Sequence, residues 1–402
     1  MDRTSKNTRL GRRAFLAGAA AAATFTILKP ALVRGTEANS KIALGLIGCG
    51  GRGSWIADLF VKNGGYQLVS CGDYFADRAQ GVGKKHKLDA ANCHAGLSNY
   101  KKVLADKIDA VAIIDPPYFR PAQAAAAVQA GKHVFAAKPI AVDVPGCTTI
   151  EAAGKQATGK KLVFLVDFQT RTNAFYREAV KRAQNGDIGR LVNGTSNCCY
   201  PFIFGKDLPA DAEGRLRKWG MDKVLSGDII VEQNIHTLDV DTWIIDAAPL
   251  AAVGTGGRKC RKGDDVIFDY FNLVFEYPDG VAVSFHSRQF GAGPDGINNV
   301  MFGTQGAIET HYEGAVRIHG KAPYPGGSTG NIYEDGAVAN IATFADSIKA
   351  GKVENPTVPP SVRSNLTSIL GRIAAYTGKK VTWDEMIKAN EKLIRNLDGA
   401  KD

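Results

Sequence analysis

Two groups of side chains in this chain could move a proton or stabilise a developing charge. The first is Lys138, which follows His133–Ala137, an apolar segment that we predict to be a strand, and precedes Pro139. Open α/β sheets bind ligands at the carboxyl ends of their strands. An ammonium group there would stabilise an oxygen atom that gains charge as hydride leaves the adjacent carbon. By position alone, Lys138 could equally be a surface lysine at a strand end.

The second group is spaced for one face of a helix. Glu232, His236, Asp239 and Trp243 follow one another at intervals of four, three and four residues within Ile229–Ile245, which we predict to be one helix. An imidazole with a pKa of about 6.5 suits a general base that accepts the proton of a sugar hydroxyl. We expect Glu232 to orient His236 or raise its basicity. A structural histidine is the alternative, and no metal is expected because the spacing lacks H-x-x-x-H and H-E-x-x-H.

A glycine-rich turn predicts the cofactor that would accept the hydride. The segment Gly48-Cys49-Gly50-Gly51-Arg52-Gly53 matches G-x-G-x-x-G and lies between a predicted buried strand, Lys41–Ile47, and a predicted helix near Ser54–Phe60. Such glycines allow a tight turn, the approach of a pyrophosphate and close packing of helix and strand. The helix N-terminus attracts the phosphates.

The nucleotide type is predicted from the end of the next strand. Asp73 lies there, where a carboxylate accepts hydrogen bonds from a ribose diol and repels a 2′-phosphate. We therefore expect NAD rather than NADP. The nearby Arg78 is the one feature that would favour NADP.

The pattern of predicted elements divides the chain into two domains. Residues 41–166 alternate strands and helices, which predicts an α/β Rossmann domain with a doubly wound parallel sheet over residues 39–168. Residues 169–402 are richer in strands, with a hairpin turn at 278–280 and helices at 337–350, 361–376 and 383–396. We predict there an α+β domain for substrate binding and dimerisation, built on an open, mainly antiparallel sheet with helices. Residues 321–331 are predicted to be a loop.

The first 38 residues are typical of an export signal. Arg12 and Arg13 precede Phe15-Leu16 and the apolar run Ala17–Leu28, which is too short and alanine-rich for a stable membrane span. We expect a twin-arginine (Tat) signal peptide over residues 1–38, recognition by the Tat export machinery and a periplasmic protein. A frayed basic terminus is the alternative. Because free NAD is not expected outside the cytoplasm, we expect the cofactor to be loaded before export and tightly bound.

Charge and cysteine content narrow the classes of partner. The 402 residues carry a net charge of +10, but the first 35 residues hold seven basic side chains and one acid. The remainder has no basic run interleaved with aromatic residues, so we expect no nucleic-acid partner. Seven cysteines form no C-x-x-C pair and are expected to be buried thiols rather than a disulfide framework.

Together these motifs resemble the Gfo/Idh/MocA oxidoreductases over about residues 41–400. The resemblance is carried by the glycine turn at 48–53, by Asp73, by Lys138-Pro139 and by Glu232…His236…Asp239, with segments 227–236 and 361–372 closest to exported bacterial members. It implies a nicotinamide cofactor at the sheet edge, Lys138 as the catalytic lysine, and His236 as the acid/base acting on a sugar or cyclitol hydroxyl. It also implies pairing of open sheet faces into homo-oligomers, either dimers or tetramers.

Two positions and one segment depart from the family pattern. Ala137 replaces the glutamate of the family's Glu-Lys-Pro, and Glu232 replaces an aspartate. The segment 115–120, Asp-Pro-Pro-Tyr-Phe-Arg, stands where relatives often carry Thr-Pro-Asp-His-Trp-His. We nevertheless predict that Pro116 and Pro139 contact the cofactor.

Polar and aromatic side chains near the expected cleft are candidate sugar contacts. These candidates are Arg171, Tyr200, Arg217, Trp219, Asp239 and Arg288, with His286 beside the last. Trp219 could instead belong to the core, and Arg217 to a solvated charged segment. Arg171 follows the last predicted strand of the nucleotide domain, which favours a place at the cleft.

The sequence therefore predicts an NAD-dependent oxidoreductase of a sugar or sugar derivative. One alternative is a glycoside-cleaving enzyme in which NAD oxidises a sugar carbon transiently and returns the hydride after elimination. Another is a nucleotide- or sugar-binding protein without catalysis, which the presence of Lys138 and His236 disfavours.

Overall fold

The structure, a computed structural model, describes residues 41–201 and 203–402. The predicted export signal at residues 1–38 lies outside the described residues. No helix in the described part is long and apolar enough to cross a membrane. The seven cysteines all lie in the described part as free thiols, of which five are buried, Cys93 is half-buried and Cys260 is exposed.

The first half of the described chain forms a six-stranded parallel sheet. Its strand order is β3-β2-β1-β4-β5-β6, which is the Rossmann order. The strands are β1 Ile42–Ile47, β2 Tyr66–Asp73, β3 Cys93–Ala95, β4 Ala110–Ile113, β5 His133–Ala137 and β6 Phe164–Asp167. The crossover helices are α1 Gly51–Asn63, α2 Ala76–His86, α3 Asn99–Ala105, α4 Arg120–Gln129 and α5 Val144–Gly159. Every residue of β4 and β6 is buried, as expected for strands covered on both faces.

The second half is built on a nine-stranded sheet, ordered β14-β13-β12-β11-β7-β10-β9-β8-β15. Its strands are β7 Leu191–Tyr200, β8 Ala251–Gly257, β9 Tyr270–Glu276, β10 Ala282–Gln289, β11 Gly296–Gly303, β12 Gly306–His311, β13 Ala315–Gly320, β14 Tyr324–Ser328 and β15 Val381–Thr382. All neighbours pair antiparallel except β7 and β10. The predicted fold class, a parallel Rossmann sheet followed by a mainly antiparallel sheet with helices, is confirmed.

Eight helices accompany the second sheet in the described residues. They are α6 Ala174–Gln184, α7 Ala212–Arg217, α8 Lys223–Ser226, α9 Ile229–Glu232, α10 Ile235–Ile245, α11 Ile332–Ala350, α12 Val358–Thr377 and α13 Trp383–Ala389. The predicted hairpin turn at 278–280 joins β9 to β10. Helix α11 returns to the nucleotide domain, where Ala337, Ile341 and Phe344 pack in the same apolar cluster as β1.

Three predicted elements were wrong. The expected loop at 321–331 contains β14, which pairs with β13 through Ala315 and Val316, so backbone pairing decides its conformation. The expected helix at 383–396 ends at Ala389, because Asn390 adopts a left-handed conformation with φ 46°. The expected helix Ile229–Ile245 is interrupted between α9 and α10.

The interruption has a clear backbone origin. The amide of Asn234 donates to the carbonyl of Ile229, five residues earlier, and the amide of His236 donates to Gln233 rather than to Glu232. Gln233 is also held by strand β10, since its Oε1 atom accepts from Gln289 Nε2 at 3.0 Å. The carbonyl of Glu232 is thereby freed from the helix, and Glu232 and His236 do not belong to one helix.

Helix α12 fastens the two halves together through buried polar side chains. Asn365 is fully buried; its Oδ1 atom accepts from the amide of Ile140 at 3.0 Å and its Nδ2 atom donates to the carbonyl of Ala141 at 3.0 Å. Arg372 donates to the carbonyls of Val142 at 2.7 Å and Gly227 at 2.9 Å. These bonds anchor the segment that follows Lys138-Pro139 and the segment that leads into α9.

We predict that Asn365→Ala lowers the free energy of unfolding by roughly 2–4 kcal/mol, because it leaves a buried N–H and a buried C=O unpaired. Urea unfolding followed by circular dichroism measures the change. The matched control is Asn185→Ala, at an exposed helix end, for which a change within about 0.5 kcal/mol is expected. Equal effects of the two substitutions would contradict this account of α12.

Candidate active site

The carboxyl ends of the parallel strands share one edge, and besides Asp73 at the end of β2 four of them deliver a polar residue or a turn there. Gly48 follows β1, Asp115 lies just beyond β4, Lys138 follows β5, and Asp167 ends β6. Because β1 and β4 are neighbours whose connections run in opposite directions, their ends flank the crevice where Rossmann folds bind dinucleotides. Two adjoining pockets open at this edge.

The first pocket surrounds the glycine turn. Its cavity volume is about 110 Å³. Its lining comprises Gly48, Gly50, Gly51, Arg52, Gly53, Asp73, Tyr74, Phe75, Arg78, Leu97, Asn99, Ile114, Asp115, Pro116, Phe119, Gln123, Leu216 and Trp219. The structure therefore brings together the predicted cofactor-binding residues of the turn, Asp73 and Pro116.

The glycine turn has the shape that a dinucleotide requires. Gly48 has φ +91°, and a Cβ there would lie 2.5 Å from the amide nitrogen of Asp115. A Cβ on Gly53 would lie 1.8 Å from the carbonyl oxygen of Gly48, so close packing requires glycine. Beside Gly51 a Cβ would meet nothing within 4 Å, and α1 begins there without a side-chain cap or an acidic residue in its first turn. The first-turn N–H groups are thus available to a pyrophosphate.

Asp73 is held in place by the turn itself. Its Oδ2 atom accepts from the amide of Cys49 at 2.7 Å and its Oδ1 atom from the amide of Phe75 at 2.9 Å. Burial raises the pKa of Asp73 above its ordinary value, although these two amides oppose the rise. Arg78 lies over the Phe75 ring at 4.6 Å and lines the same pocket.

The segment 115–120, which departs from the family pattern, supports the nucleotide pocket and the backbone on either side of Lys138. Asp115 Oδ2 accepts from Gln123 Nε2 at 2.6 Å, and burial raises the pKa of Asp115 to about 7. The buried Arg120 donates to the carbonyl of Asp115 at 2.6 Å and to the carbonyls of Ala137 and Pro139 on either side of Lys138. Arg120 therefore fixes the backbone that carries the lysine.

The second pocket contains the predicted catalytic residues. It is lined by Arg52, Ile114, Arg120, Lys138, Tyr200, Trp219, Glu232, Gln233, His236, Ile297, Tyr312, Glu313 and Tyr333. Arg52, Ile114 and Trp219 line both pockets, so the two pockets adjoin. The prediction that Lys138, Glu232 and His236 lie together, beside the glycine turn, agrees with this geometry.

Lys138 is bound by the second domain. Its Nζ atom donates to the carbonyl of Glu232 at 2.7 Å and lies 3.7 Å from Glu232 Oε1. Burial lowers the pKa of Lys138 to about 8, although the Glu232 carboxylate favours its charged form. Burial also raises the pKa of Glu232, against the opposing charge of Lys138. The lysine is thus still mostly protonated at neutral pH.

His236 is buried without a charged partner on its ring. Its pKa is lowered well below the ordinary value, by burial and then by the charge of Lys138. The ring lies 5.0 Å from that of Tyr312. Three buried polar atoms on this pocket's lining have no hydrogen-bond partner among the described residues, namely His236 Nδ1, Glu232 Oε2 and the Tyr312 hydroxyl. Glu232 therefore contacts Lys138, and no hydrogen bond links its Oε2 atom to His236.

Arg52 connects the glycine turn to the end of β6. Its Nη2 atom donates to Asp167 Oδ2 at 2.7 Å, and its guanidinium lies 4.9 Å from the centre of the Tyr333 ring and 5.4 Å from that of Trp55. Asp167 is fully buried and also accepts from Asn340 Nδ2 at 2.8 Å. The arginine is therefore positioned where the two pockets meet.

Two of the predicted sugar contacts line the second pocket, and the others do not. Tyr200 lines the second pocket, and Trp219 lines both. Arg217 instead lies 3.9 Å above the Phe75 ring, on the nucleotide side, with its Nη2 atom 3.6 Å from Asp77.

The remaining candidates lie outside the two pockets. Arg171 and Asp239 form a two-pronged ion pair, with Arg171 Nη2 to Asp239 Oδ1 at 2.8 Å, and Arg171 covers Trp243 in a separate groove. Arg288 pairs with Asp295, and His286 with Asn272. Asp239 is fully buried and also accepts from Ser364, so its contacts are those of a structural residue.

Several residues of the second pocket carried no signal in the sequence. Tyr312, Glu313 and Tyr333 come from a strand end and a helix start that approach the nucleotide domain only in the folded chain. Asp167 could have been found by the rule that singled out Lys138, since it also ends a buried parallel strand.

The fold and the site define the class of protein. Residues 42–167 match the family model described as the oxidoreductase family with an NAD-binding Rossmann fold, and residues 176–309 match the GFO/IDH/MocA C-terminal domain. Together these matches cover more than half of the chain. The chain therefore belongs to the Gfo/Idh/MocA family of oxidoreductases, and its first domain is an NAD-binding Rossmann domain.

The chain is also similar to named relatives and to solved structures. The chain is 24% identical over 280 residues to an inositol 2-dehydrogenase of Rhizobium meliloti (strain 1021), covering 69% of this chain and 78% of that protein. Its fold is similar to myo-inositol 2-dehydrogenase from Lactobacillus plantarum, with TM-score 0.68, 21% identity, and coverage of 85% of this chain and 99% of that chain. It is similar also to levoglucosan dehydrogenase in complex with NADH and L-sorbose, with TM-score 0.69, 17% identity, and coverage of 85% and 99%. At these identities the two structures show a shared fold.

We predict that kcat/KM for oxidation of an alcohol substrate falls as pH rises through about 8, the pKa of Lys138. Below that pH the lysine is protonated and can donate to the substrate oxygen, and above it this ability is lost. The pKa of His236 is lowered well below its ordinary value, so this side chain stays neutral and causes no fall in kcat/KM as the pH rises through 8. Initial rates between pH 6 and 10 measure the profile.

The matched control is Lys155→Met, which removes an exposed lysine and should leave the profile unchanged. Lys138→Met should abolish oxidation at every pH. A profile that stays nearly level up to pH 9, as expected for the ordinary lysine value of about 10.4, would contradict the assignment.

Proposed function

We propose that this protein is an NAD-dependent oxidoreductase that oxidises or reduces one carbon of a sugar or cyclitol. The observation that carries the proposal is a set of unpartnered buried atoms, His236 Nδ1, Glu232 Oε2 and the Tyr312 hydroxyl, on three residues that line one pocket beside the glycine turn. Buried polar atoms without partners are rare in native proteins, and a polyhydroxylated ligand would satisfy these three. The names of the relatives, inositol 2-dehydrogenase and levoglucosan dehydrogenase, support the same substrate class.

The residues divide the chemistry between them. NAD, when bound against the glycine turn, supplies the hydride acceptor. His236, kept neutral by burial, accepts the proton of the reacting hydroxyl. Lys138, kept close by the Glu232 carbonyl, donates to the same oxygen and stabilises its charge. Arg120 donates to the carbonyl of Ala137 and so fixes the backbone that carries Lys138.

The closed, water-poor surroundings favour this arrangement. Lys138, Glu232 and His236 are each about nine-tenths buried, and electrostatic interactions between such groups are stronger than in water. The Asp167 carboxylate opposes the charge of Arg52, and the Glu232 carboxylate that of Lys138. A neutral sugar therefore meets a pocket whose main charges are already paired.

The decisive experiment separates the proposed activity from its alternatives. Purified protein is denatured and its supernatant analysed for released NAD. Native protein is then incubated with myo-inositol, glucose, levoglucosan and cellobiose, with and without added NAD. Net formation of NADH supports a dehydrogenase. Cleavage of a glycoside such as cellobiose without added acceptor would instead support internally recycled NAD, and no turnover with any sugar would favour a binding protein.

We predict that His236→Ala reduces kcat by about 10²–10⁴-fold, the usual contribution of a general base. The matched control is His286→Ala, on the exposed face of β10, where only the contact with Asn272 is lost. This control should keep activity within about twofold. Full activity of the His236 variant would rule out its role as the base.

We further propose that residues 1–38 direct export by the Tat machinery to the periplasm, with NAD bound beforehand. Arg12 and Arg13 ahead of a short apolar run support this proposal. Replacement of both arginines by lysine should retain the protein in the cytoplasm, as measured by cell fractionation and immunoblotting. Periplasmic accumulation of this variant would contradict the proposal, and a Lys6→Gln variant serves as the control.

A further inference from the structure

We propose that two segments of the second half of the chain form a clasp over the adenosine side of the nucleotide pocket and retain the bound NAD. The first segment, the arm, is Ala212–Met221, which includes α7 and the turn after it. The second segment, the tail, is residues 390–402. The clasp rests on the proposed function, because it requires NAD at the glycine turn.

The arm supplies part of the pocket wall. Leu216 and Trp219 line the nucleotide pocket, and Leu216 packs in one apolar cluster with Phe75, the second residue after Asp73. Arg217 covers the outer side of the same ring at 3.9 Å. Since the acidic residue at the end of β2 marks the adenosine ribose, the arm lies over the adenosine end of the site.

The tail contacts two other residues that line the nucleotide pocket. The amide of Leu97 donates to the carbonyl of Lys401 at 3.0 Å, and the amide of Lys401 donates to the Tyr74 hydroxyl at 3.2 Å. Tyr74 and Leu97 both line the nucleotide pocket. Leu397 and Ala400 pack in the same apolar cluster as Leu216. The tail thus lies directly behind residues that face the cofactor site.

A charge network joins the arm to the tail. Asp222, fully buried, accepts from Arg215 Nη1 of the arm at 3.1 Å and from Arg395 Nη2 of the tail at 2.9 Å. Asp265 bridges the same two arginines, at 3.4 Å from Arg215 and 3.1 Å from Arg395. Because each carboxylate is shared, releasing the tail leaves a buried carboxylate with one partner fewer, which is costly.

The geometry therefore makes cofactor release depend on opening of the clasp. A dinucleotide in the pocket would contact Leu216 and Trp219 from one domain and Asp73 from the other. Leaving the pocket would require the arm to lift, and the arm is held by the tail through Arg395. A cofactor retained in this way would stay bound between turnovers rather than exchange at each one.

The first test compares NADH release in two variants. Arg395→Gln breaks the network without altering a residue that lines the pocket, and Lys380→Gln, the control, removes the exposed ion pair of Lys380 with Glu276. Protein loaded with NADH is mixed with excess NAD, and the fall in NADH fluorescence gives the release rate. We expect release to be at least tenfold faster from the Arg395 variant and unchanged from the control, with circular dichroism confirming that both are folded.

The second test uses the unaltered protein and decides the matter if the Arg395 variant fails to fold. Hydrogen–deuterium exchange is measured with and without NADH. The clasp predicts that NADH slows exchange in residues 212–221 and 393–402 but not in the neighbouring helix α13. Absence of this protection would overturn the clasp, as would unchanged release from a folded Arg395 variant. A protein that binds no NADH would overturn the proposed function and the clasp together, whereas binding with unchanged release would overturn the clasp alone.

Discussion

The site depends on one hydrogen bond between the two halves of the chain, from Lys138 Nζ to the carbonyl of Glu232. A carbonyl inside a regular helix would accept from the amide four residues later and could not serve a side chain. Here the interruption between α9 and α10 directs the amide of His236 to Gln233 and leaves the Glu232 carbonyl free. The same interruption therefore binds the lysine of one domain and places the histidine of the other beside it.

Burial gives these groups their chemical character. Removal from water lowers the pKa of Lys138 and of His236 and raises that of Glu232, so each charged form is disfavoured. Full loss of charge is prevented at Lys138 by the nearby carboxylate. The cost of burying these groups is offset by a framework of paired polar side chains, in which Asn365 and Arg372 of α12 hold the backbone on both sides of the site.

Much of the fold could be predicted because local patterns decide it. Continuous apolar runs that alternate with helices predict a buried parallel sheet, and a hairpin turn predicts antiparallel neighbours, independently of distant contacts. The errors arose where distant contacts override the local pattern. Strand β14 forms because β13 offers it a backbone edge, and Gln289 holds Gln233 at the break in the predicted helix.

For the site, the sequence predicted the glycine turn, Asp73, Lys138 and His236, because strand ends and a spaced motif specify where these residues can lie. It could not assign Arg171, Arg217 or Asp239, whose partners Trp243, Phe75 and Ser364 are distant from them in the chain or lie on other elements. Tyr312 and Tyr333 were added only by the tertiary structure. The physical reason is that a pocket wall is set by which surfaces pack against one another, and such packing leaves no periodic signal in any one segment.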